Sequence, residues 1–514
     1  MIDATGRADA LPQRGLRSAA NRLARRPIAT LLIISALLVA PAVGDWCLLA
    51  PDSIAYLTAA RSLYETGHFP GHFLMRPPGF PVALAPLMAA GPLPLLGIRL
   101  LLAGCHVATG VLVFTLYQGT LGKSAALLVG LLTVTNTALL NQTTVALSEM
   151  VFVPVQLMAL MAIDRLQTRG EARTRCAIAG ILTGVAIMVR TIGLALVPTG
   201  LLLLWLRAGD SVGRRFLHAA IFIAAAGALP MAWHVRQSAF PEAGGYGRMW
   251  KHPMTAEQTD ATGLSLQIQR LAHFGYLRLE DIKSAMLPNR LGWRAFEAGW
   301  STLATIGVSG VLISMLLYRG VRLRQPMDIY AIIVLTVLAF WPWDEGARLV
   351  LPLVPMFYGA LLWLFLNPIF RQRRTWRIAA VACVVVIASA QFIEWTINLR
   401  RLPEQRAKAD RQLVDMREFG ALLARIVPAD ADLLCITPNH HNSKRLIAGA
   451  TYIARLDHVS YRDVLGDESV DFPADSAKFI ILEQSLRDRF PAGTRLFKIA
   501  EFQDLDVLKI EAAN

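Results

Sequence analysis

Residues Pro51–Pro81 read PDSIAYLTAARSLYETGHFPGHFLMRPPGFP and lie between the first two long apolar runs of the chain. The stretch has an acid, Asp52, near its start and a basic, proline-rich turn, Arg76–Gly79, near its end. From Ile54 to Tyr64, apolar residues recur at helical spacing, which predicts a short amphipathic helix on a membrane surface. Gly67 is expected to end this helix.

Asp52 and Arg76 suit chemistry on a phosphate-bearing lipid at a membrane boundary. An arginine can pair bidentately with a phosphate, while a carboxylate can take a proton from an attacking hydroxyl. The alternative is a hairpin loop in which Asp52 caps a helix and Arg76 snorkels to the surface. These two residues alone leave both interpretations open.

The composition indicates an integral membrane protein. Of 514 residues, 54% are hydrophobic and only 17% are charged, with a mean hydropathy of +0.45. The net charge of +14 could suggest nucleic acid, but the basic residues form short clusters between apolar runs, which argues against it. The 5 cysteines are scattered and show neither metal-ligand spacing nor a disulfide framework.

Apolar runs near twenty residues recur along the chain and predict about eleven membrane-spanning helices. These spans are Pro27–Leu49, Leu93–Tyr117, Lys123–Leu140, Thr144–Ile163, Cys176–Arg190, Ile192–Leu206, Phe216–His234, Ala298–Tyr318, Met327–Trp341, Leu349–Leu366 and Ile378–Trp395. Phe80–Met88 is apolar but short, so we expect a re-entrant or interfacial piece, or the outer end of an extra span.

Clustered arginines predict the orientation. With a cytoplasmic N-terminus, the arginine-rich loops after the fourth, sixth, eighth and tenth spans all lie inside. We expect residues 1–26 to be a basic cytoplasmic tail, followed by an uncleaved first span rather than a signal peptide. Loops 50–92 and 236–297 and the tail 398–514 then face outward.

The two large outer segments differ in character. The loop 236–297 contains Tyr246, Trp250, Trp293 and His252, typical of a functional lid or of interfacial anchoring. In the tail, a charged amphipathic helix over Leu402–Ile426 precedes short β-like runs, which predicts a small extracytoplasmic α/β domain. Its predicted strands are Leu433–Thr437, Phe479–Leu482, Arg495–Ile499 and Leu505–Ile510. His440 and His441 have no further ligands nearby, so a metal site there is not expected.

Charged residues gather at the outer ends of the predicted spans. Such residues are functional candidates by default. They are Glu149, about 9 Å inside the fourth span, Arg190, His234, Arg236, Asp344, Glu345, Arg348 and Glu394. Arg190 and Arg348 could instead snorkel, and Glu149 could pair with Arg190 to join two helices. Together, the one-sided set favours a site at the outer leaflet.

The chain resembles the GT-C glycosyltransferases, polytopic enzymes that take a sugar from a polyprenyl-phosphate carrier on the outer side of the membrane. The class includes dolichyl-phosphate-mannose protein mannosyltransferases and bacterial aminoarabinose transferases, and the resemblance is greatest to the branch related to rhizobial lipopolysaccharide sugar transferases. It covers residues 27–397. The matching pieces are Asp52–Tyr56 with Ala59–Arg61, Gly67 and Arg76–Pro81; Leu147–Glu149 with Pro154; Gly180–Gly184 with Arg190; and Arg348–Pro352 with Pro355.

The resemblance implies a catalytic role for Asp52 as general base, with inversion at the anomeric carbon. Arg76, Arg190 or Arg348 would bind the donor phosphate, and Glu149, Tyr56, His234 and Arg236 would support the site. Many relatives have a second acid beside the aspartate, whereas here its neighbours are Pro51 and Ser53. No metal or other cofactor is therefore expected, since Mg²⁺ or Mn²⁺ usually needs more than one carboxylate.

By the same resemblance, the partners are a polyprenyl-phosphate-linked sugar, membrane lipids and a glycan, lipid or protein acceptor, and the location is a bacterial inner membrane. A lipid-linked saccharide flippase without covalent chemistry is the main alternative, and it would not depend on Asp52. An enzyme similar to O-antigen ligases would need more outward-facing arginines for a diphosphate carrier. A non-catalytic scaffold would leave the outward charges unexplained.

Overall fold

The structure is a computed structural model. It describes residues 25–70, 76–167, 172–206, 211–238, 263–287, 300–341, 346–367, 372–428, 431, 433–438, 441–455, 459–464, 479–483 and 496–510. Within these ranges the chain is mainly helical, with a small sheet near its C-terminal end.

The helices follow one another along most of the chain. They are α1 (Pro27–Val39), α2 (Pro51–Thr66), α3 (Gly79–Leu84), α4 (Leu95–Leu121), α5 (Lys123–Thr135), α6 (Thr137–Asn141), α7 (Glu149–Asp164), α8 (Ala172–Val189), α9 (Leu196–Leu206), α10 (Val212–Ser238), α11 (Gly263–Met286), α12 (Trp300–Arg322), α13 (Pro326–Ala339), α14 (Val354–Leu366), α15 (Arg374–Ile426) and α16 (His441–Ala454). Short 3-10 turns connect several of them, including Thr191–Ala195, Gly346–Leu349 and Leu351–Leu353.

Each predicted span overlaps a helix in the described residues. By length and composition, 4 of them could cross a membrane: α4, α8, α10 and α15. The pair α5 and α6 passes the same test together but is bent by 47° at its break. The helical membrane architecture is therefore supported, and the number eleven stays a prediction.

A helix is present over the predicted amphipathic stretch, as α2. Pro51 lies in its first turn, where a missing backbone N–H costs nothing, and the Ser53 hydroxyl accepts a hydrogen bond from the Ala50 N–H at 3.0 Å. Gly67 ends the helix in the left-handed conformation, with φ of 72°. Ile54, Leu57 and Ala60 are buried along one face, so α2 packs on the helical core.

Glycines allow α8 and α10 to pack closely. A Cβ on Gly180 would lie 2.6 Å from the Phe222 carbonyl oxygen, and one on Gly184 would lie 2.8 Å from that of Ala226. Four-residue spacing of small residues is a common way for membrane helices to approach each other. The glycines that contribute to the family resemblance therefore set a helix–helix distance.

Several boundaries differ from the prediction. The first span was predicted to end at Leu49, but its helix α1 ends at Val39. The last predicted span and the tail helix Leu402–Ile426 form one 53-residue helix, α15, which is about 80 Å long. Pro403 lies inside α15 without ending it. The fourth span starts later than predicted, because residues before Glu149 are extended or in turns, so Glu149 is the first residue of α7 rather than lying about six residues inside it.

The outer loop 236–297 is not wholly a loop. It contains the helix α11, whose buried residues Ile282, Ala285 and Met286 pack on the core. Polar residues between these apolar positions conceal the helical period in the sequence. Tyr246, Trp250, His252 and Trp293 lie outside the described residues.

The C-terminal segment forms a five-stranded sheet of β1 (Leu433–Pro438), β2 (Val459–Val464), β3 (Phe479–Glu483), β4 (Leu496–Phe502) and β5 (Leu505–Ile510), in the order β2-β1-β3-β5-β4. β1 is parallel to β2 and β3, and β5 is antiparallel to β3 and β4. The predicted strands are present. β2 was not predicted, because this edge strand has the polar residues Ser460, Arg462 and Asp463.

Candidate active site

Two short extended segments set the starts of α2 and α7. Leu48 and Val145 form a parallel β-bridge, in which the Leu48 N–H donates to the Thr144 carbonyl at 3.0 Å. Asp52 lies four residues after Leu48, and Glu149 lies four residues after Val145. Each acid thus lies in the first turn of its helix, where the macrodipole favours negative charge.

Arg76 is brought to Asp52 by the proline-rich turn. Its Nη2 lies 2.6 Å from Asp52 Oδ1. The turn then enters α3 at Gly79, where an added Cβ would meet the Met188 carbonyl oxygen at 2.5 Å. Only glycine allows this approach to the end of α8, and α8 is followed directly by Arg190.

Arg348 connects the two acids. It belongs to the 3-10 turn Gly346–Leu349, and its Nη2 lies 3.4 Å from Asp52 Oδ2. Its Nε lies 3.7 Å from Glu149 Oε1. The guanidinium group is therefore shared between both carboxylates, and a single arginine couples the starts of α2 and α7.

Glu149 and Arg190 form the ion pair that the sequence left open. The Glu149 side chain is only 2% exposed and that of Arg190 is 17% exposed. A buried carboxylate is costly unless it is paired, and Arg190 and Arg348 are the partners of Glu149 here. This pairing fixes the end of α8 against the start of α7.

These residues line one cavity of about 340 Å³. Its polar wall consists of Asp52, Tyr56, Arg76, Ser148, Glu149, Arg190, Thr191 and Arg348, and its apolar wall includes Leu338, Trp341 and Pro352. Among the described lining residues, three guanidinium groups face two carboxylates. A cavity with this surplus of arginine is suited to an anion attached to an apolar group.

Tyr56 supports the floor of the cavity. Its hydroxyl lies 3.5 Å from the Ser148 hydroxyl, and its ring packs edge-on against Phe80, with centroids 5.1 Å apart. The Arg76 guanidinium lies 5.7 Å from the Tyr56 ring centroid. Burial raises the pKa of Tyr56 to about 12, so its hydroxyl stays protonated at neutral pH.

Other predicted site residues lie elsewhere. His234 is exposed and does not line the cavity. Arg236 donates to the Phe69 carbonyl at 2.8 Å, and so holds the segment after α2 rather than the cavity wall. Glu394 is buried on α15, away from the lining residues. Asp344 and Glu345 lie outside the described residues.

A polar brace behind the cavity was not predicted. Gln156 on α7 donates to the Pro352 carbonyl at 2.5 Å and accepts from the Tyr330 hydroxyl at 2.9 Å. This brace fixes the segment that carries Arg348. A search for uncharged polar residues within apolar spans, rather than for charged ones alone, would have found Gln156.

The residues present do not fit a divalent cation. The cavity's two described carboxylates, Asp52 and Glu149, are separated by the Arg348 guanidinium, which occupies the position between them and repels a cation. No group of three His, Cys, Asp or Glu residues with metal-binding geometry occurs in the described parts of the chain. Metal independence remains a prediction.

The fold is the GT-C fold, as the sequence resemblance predicted. It is similar to ArnT from Cupriavidus metallidurans, solved bound to undecaprenyl phosphate, with a TM-score of 0.55 and 13% identity over 94% of this chain and 97% of that one. It is also similar to the oligosaccharyltransferase AglB from Archaeoglobus fulgidus, solved with an inhibitory peptide and a dolichol-phosphate, with a TM-score of 0.51 and 13% identity over 90% of this chain and 70% of that one. No protein-family model and no curated protein matches the sequence.

Proposed function

We propose that this chain is a membrane glycosyltransferase that moves a sugar from a polyprenyl-phosphate donor to an acceptor hydroxyl of an envelope glycan, lipid or protein. The observation that carries the proposal is the placement of Asp52 between Arg76 and Arg348 in one cavity. The fold shared with ArnT, solved bound to undecaprenyl phosphate, supports a polyprenyl-phosphate carrier.

The arginines would bind the donor phosphate. Arg76 and Arg348 each contact one oxygen of Asp52, so an incoming phosphate competes with that carboxylate for both guanidinium groups. The donor phosphate is a diester with one negative charge and two free oxygens, so it can pair with the guanidinium groups as the carboxylate does. Donor binding would release Asp52 from its ion pairs and position it as a base. The phosphate gains a second negative charge as the bond to the sugar breaks, which strengthens its pairing with the arginines.

The reaction would be a single displacement. Asp52 takes the proton from the acceptor hydroxyl as that oxygen attacks the anomeric carbon, and the bond from this carbon to the phosphate oxygen breaks with inversion. The leaving phosphate is already charged and is stabilised by arginine, so no strong general acid is required. Glu149 holds Arg190 and Arg348 in place for this step.

The Asp52→Asn variant tests the proposal. It keeps the shape of the side chain but cannot accept the proton, so the product should fall at least a hundredfold. Mass spectrometry of envelope glycolipids and glycoproteins, in cells with and without the protein, would identify the sugar product and its accumulating donor. The matched control is Asp45→Asn, which changes an exposed acid seven residues upstream and should restore the product fully.

The outcome separates this function from transport. If Asp52→Asn at wild-type abundance restores the product, Asp52 is not the base and the proposed mechanism is wrong. If the donor accumulates only in cells with Asp52→Asn or without the protein, the transferase assignment stands.

A further inference from the structure

A second cavity lies between the C-terminal segment and the membrane part of the chain. It has a volume of about 330 Å³. It is lined by Arg61 on α2, the turn 90–93 and Arg417 on α15, together with Tyr452 and Ile453 on α16 and Arg455 directly after α16. Arg61 follows Asp52 by nine residues, which places it about 14 Å further along α2. The two cavities share no lining residue.

The second cavity has a marked positive charge. Arg61 is 8% exposed, donates from Nη1 to the Tyr452 carbonyl at 3.1 Å, and lies 3.2 Å from Glu65. Arg455 lies 3.8 Å from the same carboxylate. Arg417 makes no hydrogen bond or ion pair with any other described residue. Arg61 and Arg455 therefore share one carboxylate, that of Glu65, and an anion would balance the remaining positive charge of the three guanidinium groups.

An apolar wall faces these arginines. It is formed by Ala90, Pro92, Leu93 and Ile453. Gly91, with φ of 130°, turns the chain here, and α4, a helix suited to cross a membrane, begins at Leu95. The cavity thus lies at the end of a candidate span, where an arginine cluster beside an apolar surface matches a charged lipid headgroup and the start of its tail.

We propose that this second cavity binds the phosphate headgroup of an anionic membrane lipid. The lipid phosphate pairs with Arg417 and Arg455, while its glycerol and first methylenes lie against the wall at 90–93. The headgroup then joins α16 of the C-terminal segment to α2, the helix that carries Asp52. This inference concerns binding alone and does not depend on the proposed transferase activity.

The test measures binding to the full-length purified chain in detergent. The probes are dihexanoyl phosphatidylglycerol, dihexanoyl phosphatidylcholine and inorganic phosphate, each titrated by microscale thermophoresis. Replacing Arg417 and Arg455 together by glutamine should weaken phosphatidylglycerol binding about tenfold or more, because two charged hydrogen-bond donors are lost. Arg411→Gln, an exposed change on the same helix outside the cavity, should leave binding unchanged.

Comparison of the three probes distinguishes a lipid ligand from a soluble phosphate. Phosphatidylglycerol binding that is at least tenfold tighter than that of phosphatidylcholine and phosphate supports a lipid site. Inorganic phosphate binding as tightly as phosphatidylglycerol would overturn the lipid assignment in favour of a soluble phosphate site. Equal binding by wild type and the double variant, with both folded by circular dichroism, would overturn the site itself.

Discussion

Gly79→Ala tests whether Arg76 must be held against the end of α8. An alanine Cβ at this position would lie 2.5 Å from the Met188 carbonyl oxygen and 2.9 Å from the Val189 nitrogen. Real Cβ atoms essentially never approach an atom within 3.0 Å, and backbone atoms cannot rotate away as a side chain could. The turn or the helix end must therefore shift by at least about 0.5 Å.

The shift acts on the cavity from two sides. Gly79 follows Arg76 by three residues, and Val189 directly precedes Arg190, so the added methyl group pushes two arginines apart. Misplacement of a reacting group by about 1 Å can lower the rate a hundredfold, so a shift of about 0.5 Å should lower it about tenfold. The strain should also lower the free energy of unfolding by about 1–3 kcal/mol.

The assay compares the protein-dependent sugar product in cells at matched protein abundance, together with the affinity of the purified chain for undecaprenyl phosphate. The control is Gly104→Ala on α4, where a Cβ would meet no atom within 4 Å. It should match wild type in both measurements and gain slightly in stability, since alanine favours a helix. Wild-type product and affinity in Gly79→Ala would refute the argument that this turn positions Arg76.

Two further results are expected. Glu149→Ala removes the carboxylate shared by Arg190 and Arg348, so it should lower the free energy of unfolding by about 3 kcal/mol or more, seen as a lower melting temperature in detergent. Glu404→Ala removes an exposed carboxylate on α15 and should change the free energy of unfolding by less than about 1 kcal/mol. Equal changes in the two variants would contradict a stabilising role for the buried pairing of Glu149 with the arginines. Treatment with EDTA should leave transfer unchanged, because Arg348 lies between the acids where a cation would bind; loss of transfer that Mg²⁺ restores would show that a metal is needed.

Much of the architecture could be predicted because apolar runs and glycines act locally. The position of each predicted span follows from an apolar run, and the end of α2 follows from Gly67. The extended segments around Leu48 and Val145 could not be predicted, since their pairing joins residues about a hundred positions apart and neither has a strand-like period. The same reason explains why Glu149 was placed too far inside its span.

The sequence identified most residues of the candidate site, but it could not predict which of them contact one another. Asp52, Arg76, Glu149, Arg190 and Arg348 stood out as charges beside apolar runs, and the structure brings them to one cavity. His234 and Arg236 met the same criterion but lie elsewhere, because end-of-span charges also serve interfaces and loop anchoring. Sequence position gives the depth of a residue along its helix, whereas the direction in which it points depends on tertiary packing.

The relation between the two acids follows from how their helices begin. One β-bridge fixes the segments that lead into α2 and α7, and one guanidinium, that of Arg348, contacts the acid at the start of each helix. Asp52 is 30% exposed, whereas Glu149 is only 2% exposed. The two carboxylates therefore differ in what they can contact. Asp52 is accessible to an acceptor, whereas Glu149 is buried and contacts arginines. A ligand phosphate that draws Arg348 away from Asp52 would still leave it anchored by Glu149, so the cavity can exchange a carboxylate for a phosphate without losing its framework.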